Sequence, residues 1–464
     1  MLIICILLYL LINIGIGFWA AGRIKNTEDF VLAGRQLSFG LATMVTFATW
    51  FGSETMMGAP GEFVKGGILG VIEEPFGAAL CLILVGVFFA KTFYRLNILT
   101  FCDFFKIRFG QKAEIFSAFI IVPSYFSWIT AQFVAMGIII QIIVGISLFQ
   151  AIVLGAILVM IYTLLGGMWS VSITDFLHNI ILIIGLFILA DIVFDQAGGF
   201  NNVVSKTKTH FFRPIPLQNS FENWVNYLFA WITIGLGSIP QQDVFQRVMS
   251  AKNENIAKKS SIMAGFLYIT VALLPLFIAL AATQIYPELL ADDQKMLILN
   301  LVLKFTNPFI QILFFGALIS AIMSTSSGAI LAPATVIGEN FIKPLFPSIS
   351  DKNLLLWIRL SIVLVTFICI AMASMRQNIY ELVAESSAFS LVSLFAPMVA
   401  GLYWKRASAV GCIVSMFAGL IAWLSCKYLD TNLPPSFYGL LASFVGLFLG
   451  SYFWGNQTKI YSKN

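Results

Sequence analysis

Charge and histidine are both scarce in this sequence. Only 11% of its 464 residues are Asp, Glu, Lys or Arg, and two are histidines. A soluble domain of this size is excluded, because 59% of the residues are hydrophobic and would leave large apolar areas in water. The chain is therefore predicted to be an all-α polytopic membrane protein, with residues 1–464 forming a single transmembrane domain.

Motifs for metal binding, redox chemistry and catalysis are missing as well. The six cysteines are scattered and lie mostly in apolar runs, which is typical of small buried residues rather than of ligands. No nucleophile stands beside a base at membrane depth, so an enzyme is not predicted. The net charge of +5 is attributed to cytosolic loops, so no nucleic-acid partner is predicted; the expected surroundings are a lipid bilayer.

Long apolar runs, in contrast, follow one another along the whole chain. Hydropathy predicts about thirteen spans, since a membrane-spanning helix needs about 20 apolar residues. The predicted spans are 1–20, 38–60, 68–90, 114–144, 147–166, 174–195, 223–244, 261–285, 299–335, 356–375, 380–404, 409–427 and 437–455. The first run has no basic residues before it, which favours a retained extra N-terminal span over a removed signal peptide.

Basic residues are concentrated in alternate loops. Counted from an outside N-terminus, the inner loops include the basic stretches 91–112, 247–259 and 405–406. The positive-inside rule then places the N-terminus outside and the C-terminus in the cytoplasm, in a plasma (inner) membrane. The loop 196–222 also carries basic residues although it is expected outside, but the rule is set mainly by short loops.

The stretch 46–61 (T-F-A-T-W-F-G-S-E-T-M-M-G-A-P-G) interrupts one of these runs. It places Glu54 beside Gly52 and Ser53 at membrane depth, where glycine weakens a helix and a carboxylate is costly. We interpret it as a discontinuous helix whose freed backbone groups line a binding site near the membrane midplane. The alternative is a kinked helix whose glycines allow close packing.

A second interruption occurs at 235–247 (G-L-G-S-I-P-Q-Q-D-V-F-Q-R), late in another span. A broken helix in each half of a bundle is typical of a transporter site. The two interrupted spans lie five spans apart, and an odd number inserts the second copy upside down. The expectation is an inverted repeat, with 38–195 as the first copy, 223–404 as the second and 409–455 as two C-terminal spans.

Hydroxyl groups crowd the stretch 315–338, which contains A-I-M-S-T. Ser324 and Thr325 follow Ala321 by one helical turn, so their hydroxyls and the Ala321 carbonyl can converge. Oxygen ligands without carboxylates suit a weakly held monovalent cation. The alternative is that these hydroxyls return to carbonyls of their own helix or bridge packed helices.

A glycine pair punctuates the stretch 162–175 (Y-T-L-L-G-G-M-W-S-V-S-I-T-D). Gly166 and Gly167 predict a tight turn at the membrane surface, and Asp175 is expected to open the next span. A carboxylate at a helix N-terminus is favoured by the helix dipole, so Asp175 is either a simple cap or part of a cation site or gate.

Two further carboxylates, Glu73 and Glu74, precede Pro75 inside a predicted span. A pair of charges facing lipid would be expensive, so one of them is expected to face a polar cavity or to be neutralised. The alternative is that the span starts late and both lie at headgroup depth.

Two of these stretches carry a resemblance. Y-T-L-L-G-G-M-W-S and A-I-M-S-T resemble motifs of the sodium:solute symporter family (solute carrier 5-like), and the likeness covers about 20–455. The segments 48–52, 88–91 and 239–248 look closest to the choline-transporter branch. The resemblance implies a five-plus-five inverted-repeat core of the LeuT type, with the first helix of each repeat discontinuous, that imports a small organic solute with Na+ as the co-transported ion.

The resemblance also implies roles for individual residues. Asp175 matches an aspartate implicated in cation coupling. The implied sodium-binding residues are Ala48, Phe51, Ala321, Ser324 and Thr325. The implied substrate-binding residues are Trp50, Glu54, Glu74, Trp128 and Gln241.

The sequence departs from the choline branch at two positions of its aromatic cage, where Gln241 and Ala78 replace rings. A quaternary ammonium favours an aromatic cage. The solute is therefore left open among a choline-like amine, an amino acid, a sugar and a vitamin. Proton coupling on the same fold, and a sensor or channel that no longer transports, are the alternatives; the intact A-I-M-S-T stretch favours sodium symport.

Overall fold

The computed structural model describes residues 11–12, 15–290, 296–376, 378–429 and 431–454. These ranges are almost wholly helical and hold no β-strand, apart from an isolated bridge between Leu37 and Ala251. The predicted span 1–20 lies largely outside the described residues, and helix α1 covers 15–21.

The α-helices after α1 are numbered in chain order. They are α2 (Thr27–Leu32), α3 (Phe39–Ala48), α4 (Ala59–Gly66), α5 (Ala78–Leu84), α6 (Ala90–Leu96), α7 (Phe101–Phe109), α8 (Gln111–Val144), α9 (Leu148–Gln196), α10 (Phe200–Lys206), α11 (Phe221–Gly237), α12 (Gln242–Ser250), α13 (Glu254–Ile285), α14 (Leu297–Phe305), α15 (Pro308–Val336), α16 (Lys343–Leu345), α17 (Asp351–Ala373), α18 (Ile379–Ser390), α19 (Ala396–Tyr403), α20 (Ala409–Lys427) and α21 (Pro435–Phe453). Short π-helical segments are Glu54–Gly58, Ile72–Gly77, Val85–Phe89, Ile337–Ile342 and Leu391–Phe395, and 3₁₀ segments are Ala33–Arg35, Gly67–Val71, Thr209–Phe212 and Pro287–Leu290.

Within the described residues, nine helices or helical runs are long and apolar enough to span a membrane. The spans predicted at 114–144, 356–375, 380–404, 409–427 and 437–455 agree with five of them to within a few residues; the span predicted at 409–427, for example, is helix α20. The span predicted at 299–335 is wrong, because two helices, α14 and α15, occupy it. The Asn307 side chain accepts a hydrogen bond from the Ile310 backbone N–H at 3.0 Å, and Pro308 follows it, a combination that starts a new helix.

Both predicted helix interruptions are confirmed. Helix α3 ends at Ala48 and regular helical structure resumes at Glu54; α11 ends at Gly237 and α12 begins at Gln242. The long helix α9 also changes direction at Gly167, whose φ of 49° and ψ of −147° leave the helical region. Glycine reaches a positive φ at no steric cost, so the glycine pair makes the turn that the sequence predicts.

Helix α8 lies at the centre of the bundle and packs against α9, α15, α17 and α18. Helix α13 packs against α3 and α5, while α20 and α21 pack mainly against each other. The broken segment after α3 therefore lies between α8, α13 and α15, whose inner faces carry the polar groups described next.

Candidate functional site

A small, closed cavity of about 10 Å³ lies between the two interrupted helices. Its lining combines all five residues that the resemblance implies for the substrate with five more residues. The ten lining residues are Trp50, Glu54, Glu74, Trp128, Gln241, Ile234, Ser238, Val383, Ser386 and Ser387. All ten are buried, so the cavity lies inside the protein. Its volume is far below the range of about 300–1,000 Å³ typical of small-molecule pockets, so the lining residues must move apart before a solute enters.

The carboxylate of Glu54 is fixed by three donors. One oxygen accepts from the Trp128 indole N–H at 3.3 Å, and the other accepts from the Gln132 amide at 2.7 Å and the Ser53 hydroxyl at 3.2 Å. Hydrogen bonds to a charged group contribute about 1.5–3 kcal/mol each. This carboxylate is therefore oriented in advance and has little freedom to move.

Glu74 is held by only one of its two oxygens. Its Oε1 accepts from the Thr55 hydroxyl at 3.0 Å and from the hydroxyl of Tyr268. Among the described residues its Oε2 has no donor, and the side chain lines the cavity. Glu74 is 2% exposed, which favours the cavity interpretation of the acidic pair over headgroup depth, while Glu73 is half-buried and does not line the cavity.

The same two hydroxyls stabilise the broken backbone. The Thr55 and Tyr268 hydroxyls each lie 3.1 Å from the Trp50 carbonyl, and since each carries one proton, it donates either to this carbonyl or to Glu74. A carbonyl released from helical pairing must find another donor when it is buried. Tyr268 on α13 therefore links the break in the first helix to the Glu74 carboxylate of the cavity.

The charges in this cavity are unbalanced. Within the part of the chain that the structure describes, neither Glu54 nor Glu74 forms an ion pair with a lysine, arginine or histidine. Two buried, ionised carboxylates without a base are costly unless a bound cation or a proton compensates for them.

The opposite wall is polar but neutral. The second break supplies Ser238 and Gln241, and α18 supplies Ser386 and Ser387. The Ser238 and Ser387 hydroxyls are 3.0 Å apart, and Ser386 donates to the Ser124 carbonyl at 2.7 Å. The Gln241 side chain is 2% exposed and has no hydrogen-bond partner among the described residues, so its amide is available to a ligand.

Three of the five implied sodium-binding residues meet at one point. The Thr325 hydroxyl lies 3.0 Å from the Ala48 carbonyl and 3.0 Å from the Ala321 carbonyl. This contact joins the end of α3 to α15, and it fits both the predicted ion site and the alternative of a hydroxyl bonded to its own helix and to a packed neighbour. Phe51 lies in the break itself, with its ring stacked on Phe47 at 4.8 Å.

Glycine at position 52 allows this close contact. A Cβ atom there would lie 3.0 Å from the Thr325 hydroxyl and 3.1 Å from the Gln132 side-chain oxygen. Both distances are tighter than ordinary van der Waals contact. Gly52 therefore lets the broken backbone approach α15 and α8 at the same time.

Ser324 faces away from Thr325 and donates a hydrogen bond to Asp175. Asp175 is 1% exposed, and its second oxygen has no hydrogen-bond partner among the described residues. The expectation that Asp175 opens a span is wrong, because the helix resumes after Gly167, about two turns earlier. It is a buried carboxylate beside α15 and not a helix cap.

Several residues at the site were not identified from the sequence. Gln132, Tyr268 and Ser386 are single polar residues inside apolar helices, and each contributes a hydrogen bond at the breaks or the cavity. The available signal was their polarity at membrane depth, where an uncompensated polar group is costly.

Comparison with known proteins gives consistent results. The profile of the sodium:solute symporter family matches residues 30–419. The human high affinity choline transporter 1 is 27% identical over 444 residues, which cover 90% of this chain and 75% of the transporter. The sodium/glucose cotransporter of Vibrio parahaemolyticus is 25% identical over 469 residues, covering 92% of this chain and 85% of that protein.

A solved structure shares the fold over nearly the full length. It is the substrate-bound outward-open state of a Na+-coupled sialic acid symporter, with a TM-score of 0.85 and 20% sequence identity. The alignment covers 99% of this chain and 98% of that one.

Proposed function

The chain belongs to the sodium:solute symporter family, and from that premise we propose that its solute is carried through the cavity between the two broken helices. It is an integral multi-pass membrane protein and a sodium-coupled symporter of a small solute, with Na+ as the co-transported ion. The observation that carries the proposal is the enclosed cavity, which lies between both interruptions and is lined by groups from each.

Thirteen membrane crossings form the proposed topology, with the N-terminus outside and the C-terminus in the cytoplasm of a plasma membrane. The turn at Gly167 divides α9 into two crossings, and the run Glu54–Leu96 contains the end of one crossing and the whole of the next. Residues 38–195 and 223–404 form the two inverted copies in this proposal, which gives each copy one broken helix.

Sodium binds, in this proposal, where Thr325 joins the two helices. The carbonyls of Ala48, Phe51 and Ala321 and the hydroxyls of Ser324 and Thr325 supply five oxygen ligands. The short separations of Thr325 from Ala48 and Ala321 support three of them. Ser324 reaches the ion by turning away from its hydrogen bond with Asp175.

Asp175 has a separate role in coupling. Its buried second oxygen has no hydrogen-bond partner among the described residues, so it is available to a second cation or to the sodium ion as it leaves. An ion passing Ser324 meets Asp175 next, which supports a step from one position to the other.

The solute occupies the cavity beside Trp50, Glu54, Glu74, Trp128 and Gln241. Gln132 connects this cavity with the proposed sodium site. Its amide nitrogen donates to Glu54 at 2.7 Å, and its oxygen accepts from the Ser53 backbone at 3.4 Å, next to Gly52. Closure of the break around sodium therefore acts on the Glu54 carboxylate through one side chain.

One sodium ion is sufficient to drive uptake. A charge crossing about 100 mV releases about 2.3 kcal/mol. A roughly tenfold sodium gradient adds about 1.4 kcal/mol. Together these sustain a solute gradient of a few hundredfold, so a second ion increases the driving force but is not required.

The relatives transport different solutes, and choline is one candidate for this chain because Trp50 and Trp128 line its cavity. Uptake of radiolabelled solutes into proteoliposomes tests the proposal. Purified protein is assayed with an inward gradient of sodium, of potassium, or of protons at equal potassium. Faster uptake under the sodium gradient is expected; equal uptake under all three gradients overturns sodium symport.

A matched pair of serine variants tests the ion position. Ser324→Ala removes a proposed ligand and should raise the sodium concentration for half-maximal uptake. Ser361→Ala is the control, because that buried hydroxyl donates only to the Trp357 carbonyl of its own helix at 2.9 Å. An unchanged sodium requirement in a folded Ser324→Ala variant removes Ser324 from the site.

A further inference from the structure

The unbalanced charge of the cavity restricts the chemistry of its solute. Glu54 and Glu74 line the same cavity and have no basic partner among the described residues. A neutral sugar would leave each ionised carboxylate uncompensated, and an amino-acid carboxylate would add a further negative charge beside them. A solute with one positive charge and no negative charge reduces this cost.

The two carboxylates contribute differently to recognition. Both oxygens of Glu54 already accept hydrogen bonds from protein groups, so Glu54 contributes mainly its charge. Only Oε1 of Glu74 is occupied in this way, by Thr55 and Tyr268. The free Oε2 of Glu74 accepts a hydrogen bond from a solute only when that solute carries an N–H or O–H donor.

The rest of the lining supports a short polar cation. Two indole rings, Trp50 and Trp128, provide faces that attract a cation, but the remaining wall consists of serines, Gln241 and two aliphatic residues. The Gln241 amide, also in the lining, suits a hydroxyl group of the solute.

We propose that the solute is a small amino alcohol whose protonated nitrogen retains at least one N–H, and that Glu74 Oε2 selects for that N–H. This assignment rests on the proposed function of the cavity and specifies its substrate class. A quaternary ammonium has the charge but no donor, so the cavity binds it less tightly than the tertiary amine that is one methyl smaller.

A methylation series tests this assignment. The probes are ethanolamine, N-methylethanolamine, N,N-dimethylethanolamine and choline, with ethylene glycol as the neutral analogue. Thermal stability of the purified full-length protein is measured in sodium and in potassium, followed by sodium-driven uptake of the labelled compounds. The first three amines are expected to stabilise the protein in sodium. Choline is expected to bind with an affinity at least about tenfold lower, because a charge-assisted hydrogen bond is lost.

Two variants test whether Glu74 causes the preference for amines that carry an N–H. In Glu74→Gln the affinity for N,N-dimethylethanolamine should exceed that for choline by less than about threefold, because the charge assistance is lost. Glu73→Gln changes the neighbouring half-buried carboxylate, which lies outside the lining. This variant should retain the full difference in affinity between the two compounds. Stabilisation by sodium alone, measured in each variant, shows that the protein is folded.

The outcomes separate this inference from the function on which it rests. Choline binding equal to or tighter than the tertiary amine overturns the inference, since the aromatic rings would then dominate. Binding of ethylene glycol but of no amine also overturns it, while a sodium-dependent shift in the same samples leaves sodium symport intact. The absence of any sodium effect on stability or uptake overturns the proposed function and this inference together.

Discussion

Carboxylates and hydroxyls near the two helix breaks differ from the same groups elsewhere in the molecule. Glu54 and Glu74 have no basic partner among the described residues, whereas Glu385 pairs with Arg376 and Lys427. Thr325 bridges two helices, whereas Thr366 donates only to the Ile362 carbonyl of its own helix, at 2.8 Å.

This difference distinguishes groups that stabilise the fold from groups that are available to bind a ligand. A carboxylate paired with two bases is already neutralised, and a hydroxyl bonded within its helix is satisfied in every conformation. The groups at the breaks depend on contacts between helices, which are the contacts that change when one bundle moves against another. Pairs of like residues, one from each set, therefore test the comparison.

The carboxylates give the largest expected difference. Glu54→Gln removes a charge and places an amide NH₂ group where three donors now converge, so at least one donor loses its acceptor. Loss of hydrogen bonds to a charged group, at about 1.5–3 kcal/mol each, predicts a fall of about 100-fold in kcat/KM for uptake.

Glu385→Gln is the matched control for Glu54→Gln. Its partners Arg376 and Lys427 are about two-fifths exposed and remain hydrated when the charge is removed, so uptake should change by less than about threefold. Similar losses in both variants would show that the unpaired carboxylates have no special role.

The threonines give the next largest effect. Thr325→Ala removes the hydroxyl between the Ala48 and Ala321 carbonyls and should raise the sodium concentration for half-maximal uptake about tenfold, as expected for one lost ligand oxygen. Thr325→Ser keeps the hydroxyl and should restore the wild-type value. Thr366→Ala should leave the sodium dependence unchanged; a shift of equal size there would assign the effect to helix packing.

The helix breaks could be located from the sequence. The side chains from other helices that contact these breaks could not. Glycine, proline and carboxylates inside apolar runs marked 46–61 and 235–247, and the turn at Gly167 had the same kind of signal. The hydroxyl of Tyr268 reaches the first break from a helix more than 200 residues later in the chain. Periodicity indicates which face of α13 is polar but not which helix that face meets.

The two hydroxyls of A-I-M-S-T show a second limit. Spacing alone made Ser324 and Thr325 equivalent ligands, being three and four residues after Ala321. Consecutive residues point about 100° apart around a helix, and the structure directs one to Asp175 and the other to Ala48. The break between α14 and α15, in contrast, was readable from Asn307 and Pro308, a start signal inside an otherwise apolar run.

Tyrosine hydroxyls extend the comparison with a smaller effect. Tyr268→Phe removes the donor to Glu74 and to the Trp50 carbonyl while keeping the buried ring. A net value of about 0.5–1.5 kcal/mol for each hydrogen bond predicts about a fivefold fall in kcat/KM for uptake. Tyr403→Phe is the control, because that hydroxyl donates to the Phe88 carbonyl at an exposed position. Unchanged uptake in both variants would mean that Glu74 does not depend on Tyr268 for its orientation.

Glycines give the smallest expected difference and test packing without removing a polar group. In Gly52→Ala the added methyl group lies against Thr325 and Gln132 and moves them by a few tenths of an ångström. Apparent sodium affinity should fall about threefold, because both contacts at the break lengthen together. Gly316→Ala adds a methyl group to α15 with no neighbouring atom within 4 Å, and it should leave sodium affinity unchanged. If Gly52→Ala also behaves as wild type in sodium titrations of uptake, the break tolerates a wider separation from α15, and close approach at Gly52 is not what forms the ion site.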